Sequence, residues 1–220
     1  MLTSRRASEG LPRLIAAAGL AVAKPLATAF SIEPFFKPRH PKYNGKAMRI
    51  RAMGYFAMLG GVPALWLARG RQEPYPVIPD LALSVPLLLD AGGNSLGLYD
   101  RARVDAAVHF TNSIILSSAF GEAIGPHVEH RWEAAALTVG FGVTGETAWE
   151  IMEYTALKLG FQGLQLSYEN TMDDVVLGFA GALIAGAVTW KRWKPREERE
   201  RLAREARDQQ QRPQPVTSPA

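Results

Sequence analysis

Long apolar stretches, separated by short polar ones, run through most of this chain. A membrane-spanning helix needs about 20 mostly apolar residues. Six stretches approach that length, at 14–31, 52–68, 77–97, 104–125, 134–157 and 174–190. Neither sustained alternation of apolar and polar residues nor the evenly spaced short segments of a barrel competes with this pattern. The pattern predicts an all-α fold, a polytopic transmembrane helical bundle of five or six spans.

The ends of the chain differ from its apolar middle. Lys24 and Pro25 interrupt the first stretch, which indicates a weak or interfacial helix rather than a cleaved signal peptide. We therefore expect three parts: a weak or interfacial helix with a basic loop over 1–51, the transmembrane bundle over 52–190, and a charged cytoplasmic tail over 191–220. The tail is rich in charge, then in Gln and Pro, and we expect it to be solvated and partly disordered.

Two of the stretches carry small residues at every fourth position. These are Gly178, Ala182 and Gly186 in the last stretch and Ser117, Gly121 and Gly125 in the fourth. Small side chains at this spacing let helix backbones approach closely in lipid. We interpret both sets as packing seams and not as sites.

Composition narrows the classes of function. The 220 residues are 47% hydrophobic and include no cysteine, which excludes disulfides, thiolate metal sites and cysteine nucleophiles. The net charge is +4, but the basic residues flank apolar stretches and no nucleic-acid-binding motif is present. Membrane lipids are therefore the expected partners, and nucleic acid is not. A second copy of the chain or another membrane protein is a further candidate partner.

The Lys and Arg residues predict an orientation, because positive charge concentrates on the cytoplasmic side of membrane proteins. Lys191, Arg192, Lys194 and Arg196 directly follow the last stretch, so we place both termini in the cytoplasm. The basic loop at 37–51 then lies on the outer side, against the same rule. Sequence alone leaves this conflict open.

Ionisable residues occur inside several of the apolar stretches. His109 lies in the fourth, Glu146, Glu150 and Glu153 lie in the fifth, and Asp174 opens the sixth. A charge in hydrocarbon costs at least about 2.5 kcal/mol, so such residues usually face a protein interior or a wet cavity and carry function.

Connectivity brings these residues together. In an up-and-down bundle, the ends of the third and fifth spans and the starts of the fourth and sixth lie on one side of the membrane. Asp105 and His109 are four residues apart and share a helix face, and Glu150 and Glu153 share another. We therefore predict a site made by His109, Glu150, Glu153, Asp105 and Asp174, near one face of the membrane and open to the outer leaflet or the periplasm.

Three chemistries suit such a pocket, and the residue types alone do not choose between them. Carboxylates with one His could bind a divalent metal. Crowded carboxylates could relay protons or act as general acid and base, or the pocket could hold polar headgroups. The plainer interpretation is that Asp105, Asp173 and Asp174 are interfacial residues favoured by helix N-termini. We expect Asp80, beside Pro79, to be interfacial.

Three short motifs resemble those of a group of bacterial membrane proteins. They are Asp105-Ala-Ala-Val-His109-Phe110, Trp149-Glu150-Ile151-Met152-Glu153-Tyr154, and Asn170-Thr171-Met172-Asp173-Asp174 followed by Gly178. In this order, over residues 76–190, they resemble the VanZ-like and YjdF-like (DUF2238) proteins. One departure is Gly178, which stands where VanZ-like proteins usually carry Asn.

The resemblance implies a multi-pass protein of the bacterial inner membrane and supports treating the five predicted site residues as one constellation. It implies no particular activity. The chain could be an intramembrane enzyme of lipid or cell-envelope chemistry, with Glu150 and Glu153 as metal ligands or base and His109 as a proton carrier oriented by Asp105. It could instead be a non-catalytic binding, transport or assembly component that docks through its tail. A soluble helical protein is the third alternative.

Overall fold

The computed structural model of the protein describes residues 2–43, 46–100, 104–161 and 167–211. Seven helices account for most of this part: α1 Leu2–Phe36, α2 Met48–Ala68, α3 Val77–Ser95, α4 Val104–Ile124, α5 Arg131–Lys158, α6 Tyr168–Arg192 and α7 Arg196–Gln211. Single 3-10 turns lie at Pro41–Tyr43, Leu98–Asp100 and Gly125–His127, and no strand occurs in the described ranges. The all-α prediction is confirmed, and the six predicted stretches correspond to α1 through α6.

Helix α1 continues through the predicted interruption. Its backbone is helical across Lys24 and Pro25. The charge of Lys24 is paired, since its ammonium lies 2.7 Å from each carboxylate oxygen of Asp80 on α3. The Asp80 side chain is 1% exposed, so the expectation that it is interfacial is corrected: it is buried against α1. A paired charge of this kind can be accommodated inside a membrane bundle, and neighbouring helices compensate for proline in membrane helices.

Helices α1, α2 and α3 form the first half of the bundle. Ser95, at the end of α3, donates to the carbonyl of Phe30 near the end of α1 at 2.9 Å, so these two helices run in the same direction. Tyr55, in the second turn of α2, donates to Asp90 near the end of α3, so α2 runs the opposite way. The core of this half consists of Tyr43, Met48, Tyr55, Leu59 and Leu87 with Ala27, Ala52 and Ala91.

Helices α4, α5 and α6 form the second half, which packs through small residues. Thr138 near the start of α5 lies 3.3 Å from Thr189 near the end of α6, so α5 is antiparallel to α6. The backbones of α4 and α6 approach so closely that a Cβ on Gly181 would lie 2.6 Å from the Phe110 carbonyl oxygen. Ala182 is fully buried, and a Cβ on Gly142 of α5 would lie 2.6 Å from its Cβ. The interpretation of the small residues as packing seams is confirmed.

The outer surface of the bundle is apolar. On α6, Val176, Phe179 and Leu183 are exposed, whereas Asp174 and the seam residues point inward. Three helical segments are long and apolar enough to cross a membrane: Leu11–Phe36, Met48–Ala68 and Tyr168–Arg192. An apolar exterior around a more polar interior is the arrangement that a lipid environment favours.

The tail forms a helix from Arg196 to Gln211; residues 212–220 lie outside the described part, so partial disorder of the tail stays a prediction. Arg199 of α7 donates to the carbonyl of Gly125 at 2.7 Å and to that of Pro126 at 3.2 Å. These carbonyls end the α4 segment, so α7 is attached to the end of the bundle where α4 and α6 finish.

Candidate functional site

His109 is the centre of a group of ionisable side chains from α4, α5 and α6. Its Nδ1 lies 2.5 Å from Oε1 of Glu146. Its Nε2 lies 3.6 Å from Oδ1 of Asp105, one helical turn before it. Glu150 and Asp174 complete what we call the His109 cluster: Asp105, His109, Glu146, Glu150 and Asp174.

Two carboxylates of the His109 cluster are buried without full hydrogen bonding. Asp174 is 3% exposed and Glu150 is 8% exposed. Asn170 donates to Oδ2 of Asp174 at 3.0 Å. Within the described residues, Oδ1 of Asp174 and Oε1 of Glu150 have no hydrogen-bond partner. Buried polar atoms are normally hydrogen-bonded, so each exception needs an explanation.

The spacing of the cluster matches that of a metal site. One ligand atom each from Asp105, His109 and Asp174 lies within 4.8 Å of the others. The same holds for a second set, His109, Glu146 and Glu150. The two sets share the imidazole and differ in which ring nitrogen they use, because Nδ1 faces Glu146 and Nε2 faces Asp105.

A second polar group adjoins the His109 cluster and joins the two halves of the bundle. Arg51, in the first turn of α2, forms an ion pair with Glu153 of α5. Its other terminal nitrogen lies 3.7 Å from Asp90 of α3. We call this group, with the polar side chains that bind Asp90, the Arg51 network: Arg51, Tyr55, Asp90, Asn94, Tyr99 and Glu153.

Hydroxyl and amide donors satisfy Asp90 within the Arg51 network. Tyr55 donates to Oδ2, and Tyr99 donates to Oδ1 at 2.7 Å. Asn94 donates to the same Oδ1 at 3.2 Å. Burial, and then the charge of Asp90, raise the pKa of Tyr99, so its hydroxyl stays protonated and available as a donor. The Asp90 carboxylate is thus fully bonded, unlike Glu150 and Asp174.

Trp149 lies between the two groups. The Arg51 guanidinium is 5.2 Å from the centre of the Trp149 ring, and the His109 ring meets the same indole edge-on at 6.5 Å. A guanidinium over an indole face is a favourable cation–π arrangement. The indole therefore separates the positive charge of Arg51 from the imidazole.

Comparison with known families adds one result. The family described as "Predicted membrane protein (DUF2238)" matches residues 40–195. The chain belongs to the DUF2238 family. Neither the curated proteins nor the solved structures contain a match. The YjdF-like (DUF2238) part of the resemblance is confirmed, and the VanZ-like part stays a prediction.

The family match extends the motif-based resemblance toward the N-terminus. It includes α2 and therefore Arg51 as well as the His109 cluster. In this DUF2238 protein, both polar groups thus lie inside the matched region. The family description names a membrane protein and no activity.

Gly178 accounts for the departure from the VanZ-like motif. A Cβ at Gly178 would lie 2.6 Å from the carboxyl carbon of Glu146. The Glu146 side chain therefore occupies the space beside α6 that a larger residue at 178 would fill. Ser113 of α4 also donates to the Gly178 carbonyl at 2.7 Å. The glycine lets Glu146 reach His109 between closely packed helices.

Four of the five predicted site residues lie in the His109 cluster, and Glu153 instead lies in the Arg51 network. Asp173, which shares a motif with Asp174, is exposed, in line with the plainer interpretation of it. Sequence reasoning omitted Glu146 from the site, although its spacing from Glu150 indicated a shared face. It also omitted Arg51, although the start of α2 lies at the same end of an up-and-down bundle.

A cavity lies at the opposite end of this DUF2238 protein. It has a volume of about 240 Å³ and is lined by Gly121, Thr189, Arg192, Trp193 and Arg199 among others. None of its lining residues belongs to the His109 cluster. The acidic cluster and this basic-rimmed cavity therefore occupy different ends of the second half.

Proposed function

We propose that the His109 cluster is the working site of an integral membrane enzyme, acting in lipid or cell-envelope chemistry near one face of the membrane. The observation that supports this most is a pair of buried carboxylate oxygens, on Glu150 and Asp174, that have no hydrogen-bond partner among the described residues. Leaving a buried polar group unsatisfied costs about 1–3 kcal/mol, and more when it is charged. A cluster that served only to hold helices together gains nothing from this cost.

The depth of the cluster suits a substrate with a polar headgroup. Asp105 lies in the first turn of α4. His109 follows four residues later, about 6 Å deeper along the helix axis. Polar headgroups occupy the membrane at this level, whereas acyl chains meet the apolar outer faces of the helices.

The side chains divide into roles. Glu150 is the proposed general base, because its buried Oε1 has no hydrogen-bond partner among the described residues. His109 is the proposed proton carrier, oriented by its contact with Glu146. Glu153 is proposed as a positioning residue, because its carboxylate is committed to Arg51.

Glu150→Gln is the direct test. Cells that lack the gene would be complemented with wild type, Glu150→Gln or Asp173→Asn, and their extracted lipids and envelope precursors compared by mass spectrometry. We expect wild type and Asp173→Asn to restore the same molecular species and Glu150→Gln to leave the null pattern. Asp173 is a matched control, since it is an exposed acid beside the cluster. A Glu150→Gln pattern equal to wild type would remove the base role.

We also propose that the site faces the periplasm of the bacterial inner membrane, with both termini cytoplasmic. Part of the basic loop that opposed this orientation is neutralised locally. Lys42 lies 2.7 Å from Glu33, and that hydrogen bond raises the pKa of Lys42. Arg51 is paired with Glu153. These two paired charges therefore contribute less to the difference in positive charge between the two sides of the membrane.

The absence of cysteine makes the orientation simple to test. A single cysteine would be introduced at Lys37 in one variant and at Gln211 in another. Intact cells would then be treated with a membrane-impermeant maleimide. We expect labelling of the first variant and labelling of the second only after lysis. The reverse result would place the site on the cytoplasmic side.

A second candidate function is that the protein is a component of a larger membrane assembly and docks to its partner through α7. Most of the described side chains of this helix are exposed, and the helix carries i,i+4 ion pairs such as Arg196–Glu200. Deleting residues 196–220 would distinguish the candidates. An unchanged complex size on native gels and unchanged lipid products would exclude the docking role, whereas loss of a larger complex would support it.

A further inference from the structure

We infer that Asp105, His109 and Asp174 bind one divalent transition-metal ion, with Glu146 as the residue that orients the imidazole. This inference rests on the proposed function in that it names the cofactor of the same site. The metal would sit at Nε2 of His109, between α4 and α6. As a ligand His109 would no longer carry a proton, and Glu150 would be the group of the site that accepts one.

The hydrogen bond to Glu146 decides which ring nitrogen is available. Nδ1 lies 2.5 Å from a Glu146 oxygen, a distance at which the ring N–H donates to the carboxylate. In the neutral imidazole the other nitrogen, Nε2, then carries the lone pair. A carboxylate that accepts from the distal ring nitrogen is the usual support for a metal-binding histidine.

The distance from Nε2 to Asp105 fits two ligands of one ion better than a hydrogen bond. At 3.6 Å the contact is too long for a hydrogen bond. Two ligands bound at about 2.1 Å in a tetrahedral arrangement are about 3.4 Å apart. Asp105 and His109 therefore already stand at ligand spacing, without a direct bond between them.

Asp174 supplies the third ligand. It is 97% buried, since its exposed fraction is 3%, and its Oδ1 has no partner within the described residues. Its other oxygen accepts from Asn170 at 3.0 Å, which fixes the carboxylate in the way that outer hydrogen bonds fix metal ligands. Asp174 belongs to the set whose ligand atoms lie within 4.8 Å of one another.

Charge supports a cation at this position. Six carboxyl groups belong to the two adjoining polar groups: Asp90, Asp105, Glu146, Glu150, Glu153 and Asp174. Their ion pairs among the described residues involve one guanidinium, from Arg51, and one imidazole, from His109. A divalent cation would offset two further negative charges in surroundings where unpaired charge is costly.

The ligand types select the class of metal. Two carboxylates with one imidazole suit Mn²⁺, Fe²⁺ or Zn²⁺ better than Ca²⁺ or Mg²⁺, which prefer oxygen alone. Three protein ligands leave at least one coordination position for water or a substrate oxygen. Glu150 belongs to the other set, with His109 and Glu146, and stays free to accept a proton.

Metal analysis of the full chain, purified in detergent without chelator, tests the inference. We expect about one first-row transition metal per chain. After chelator treatment, Mn²⁺ binding would be followed by electron paramagnetic resonance. We expect His109→Gln and Asp174→Asn to weaken binding at least about 100-fold and Glu146→Ala to weaken it about 10- to 100-fold. Asp173→Asn is the matched control and should bind as wild type does.

Thermal unfolding of wild type gives a second readout, because a ligand that binds only the folded state stabilises it. Mn²⁺ or Zn²⁺ should raise the Tm of wild type and Asp173→Asn but not that of His109→Gln. Wild type that carries no metal and gains no Tm from either ion would overturn the inference. Equal Mn²⁺ affinity in wild type and Asp174→Asn would also overturn it.

The two proposals can fail separately. Lipid products that depend on Glu150, made by a protein that binds no metal, would leave the proposed function standing without the cofactor. A metal bound through His109 and Asp174, together with lipid products that are the same with and without the gene, would leave the metal site standing and remove the proposed enzyme.

Discussion

The two halves of the bundle differ in whether their buried acidic residues have hydrogen-bond and ion-pair partners. In the first half, Asp80 is paired with Lys24 at 2.7 Å, and Asp90 receives bonds from two tyrosine hydroxyls and an amide. In the second half, Glu150 and Asp174 each keep a buried oxygen that has no hydrogen-bond partner in the part of the chain that the structure describes. Acids with local partners serve the fold, and the acids with an unpartnered oxygen belong to the site for which we propose a metal.

Packing differs between the halves for a related reason. The first half fills its interior with large side chains such as Tyr43, Met48 and Leu87. The second half brings its backbones together through small residues, with Gly181 of α6 directly against the Phe110 carbonyl of α4. Closely spaced backbones let short carboxylates from three helices reach one imidazole.

The largest expected loss of stability concerns the Arg51 network, which connects the two halves. Arg51→Ala leaves Glu153 without its cation and Asp90 without a nearby one, and removing one partner of a buried pair costs about 3–5 kcal/mol. We expect this loss in denaturant unfolding in detergent. Adding Glu153→Gln to Arg51→Ala should recover part of it. If Arg51→Ala unfolds as wild type does, the halves are not joined through this network.

The next prediction is that replacing an acid changes the free energy of unfolding in opposite directions in the two halves. Asp80→Asn leaves Lys24 poorly paired and should lower the free energy of unfolding by about 2 kcal/mol. Glu150→Gln removes a charge with an unsatisfied oxygen and should raise that free energy by about 1 kcal/mol, as active-site residues often do when replaced. Both would be measured by denaturant titration without added metal. The same sign in both variants would end the distinction between structural and functional acids.

A smaller effect on stability is expected for Gly178→Ala. The new methyl would meet the flexible end of Glu146, which can turn away from His109. We expect a loss of about 1 kcal/mol or less but a 10- to 100-fold weaker Mn²⁺ affinity. Gly181→Ala is the contrasting control, because its methyl would meet backbone and should lower stability instead. Unchanged Mn²⁺ affinity in Gly178→Ala would count against the orienting role of Glu146.

The smallest effect is expected at the far end of the second half. Arg192 and Glu122 pair at 3.1 Å, with side chains 68% and 59% exposed. Exposed pairs contribute about 0–1 kcal/mol, so Arg192→Ala should unfold nearly as wild type and keep wild-type Mn²⁺ affinity. If Arg192→Ala lost as much stability as Arg51→Ala, the exposure of an ion pair would not explain how much it stabilises this protein.

Sequence reasoning was accurate where the governing feature is periodic or follows the chain. Apolar length predicted the number and order of the helices from α1 to α6, because a long apolar stretch is what a membrane helix requires. The bounds were less accurate, since α1 begins at Leu2 instead of at residue 14. Up-and-down connectivity predicted that Asp105, His109, Glu150 and Asp174 would meet at one end. The prediction that Lys24 and Pro25 interrupt the first helix was wrong, because a single charge or proline is tolerated when a neighbouring helix compensates for it.

What the sequence determined by itself is the helical order, the membrane family and the end of the bundle where the ionisable residues gather. The tertiary structure decided which of them touch: Glu146 rather than Glu153 at the imidazole, Arg51 at Glu153, and Lys24 at Asp80. The physical reason is that these contacts depend on how each helix is rotated about its axis. That rotation is set by close packing between neighbours, at positions such as Gly178 and Gly181, and not by the period of any single helix.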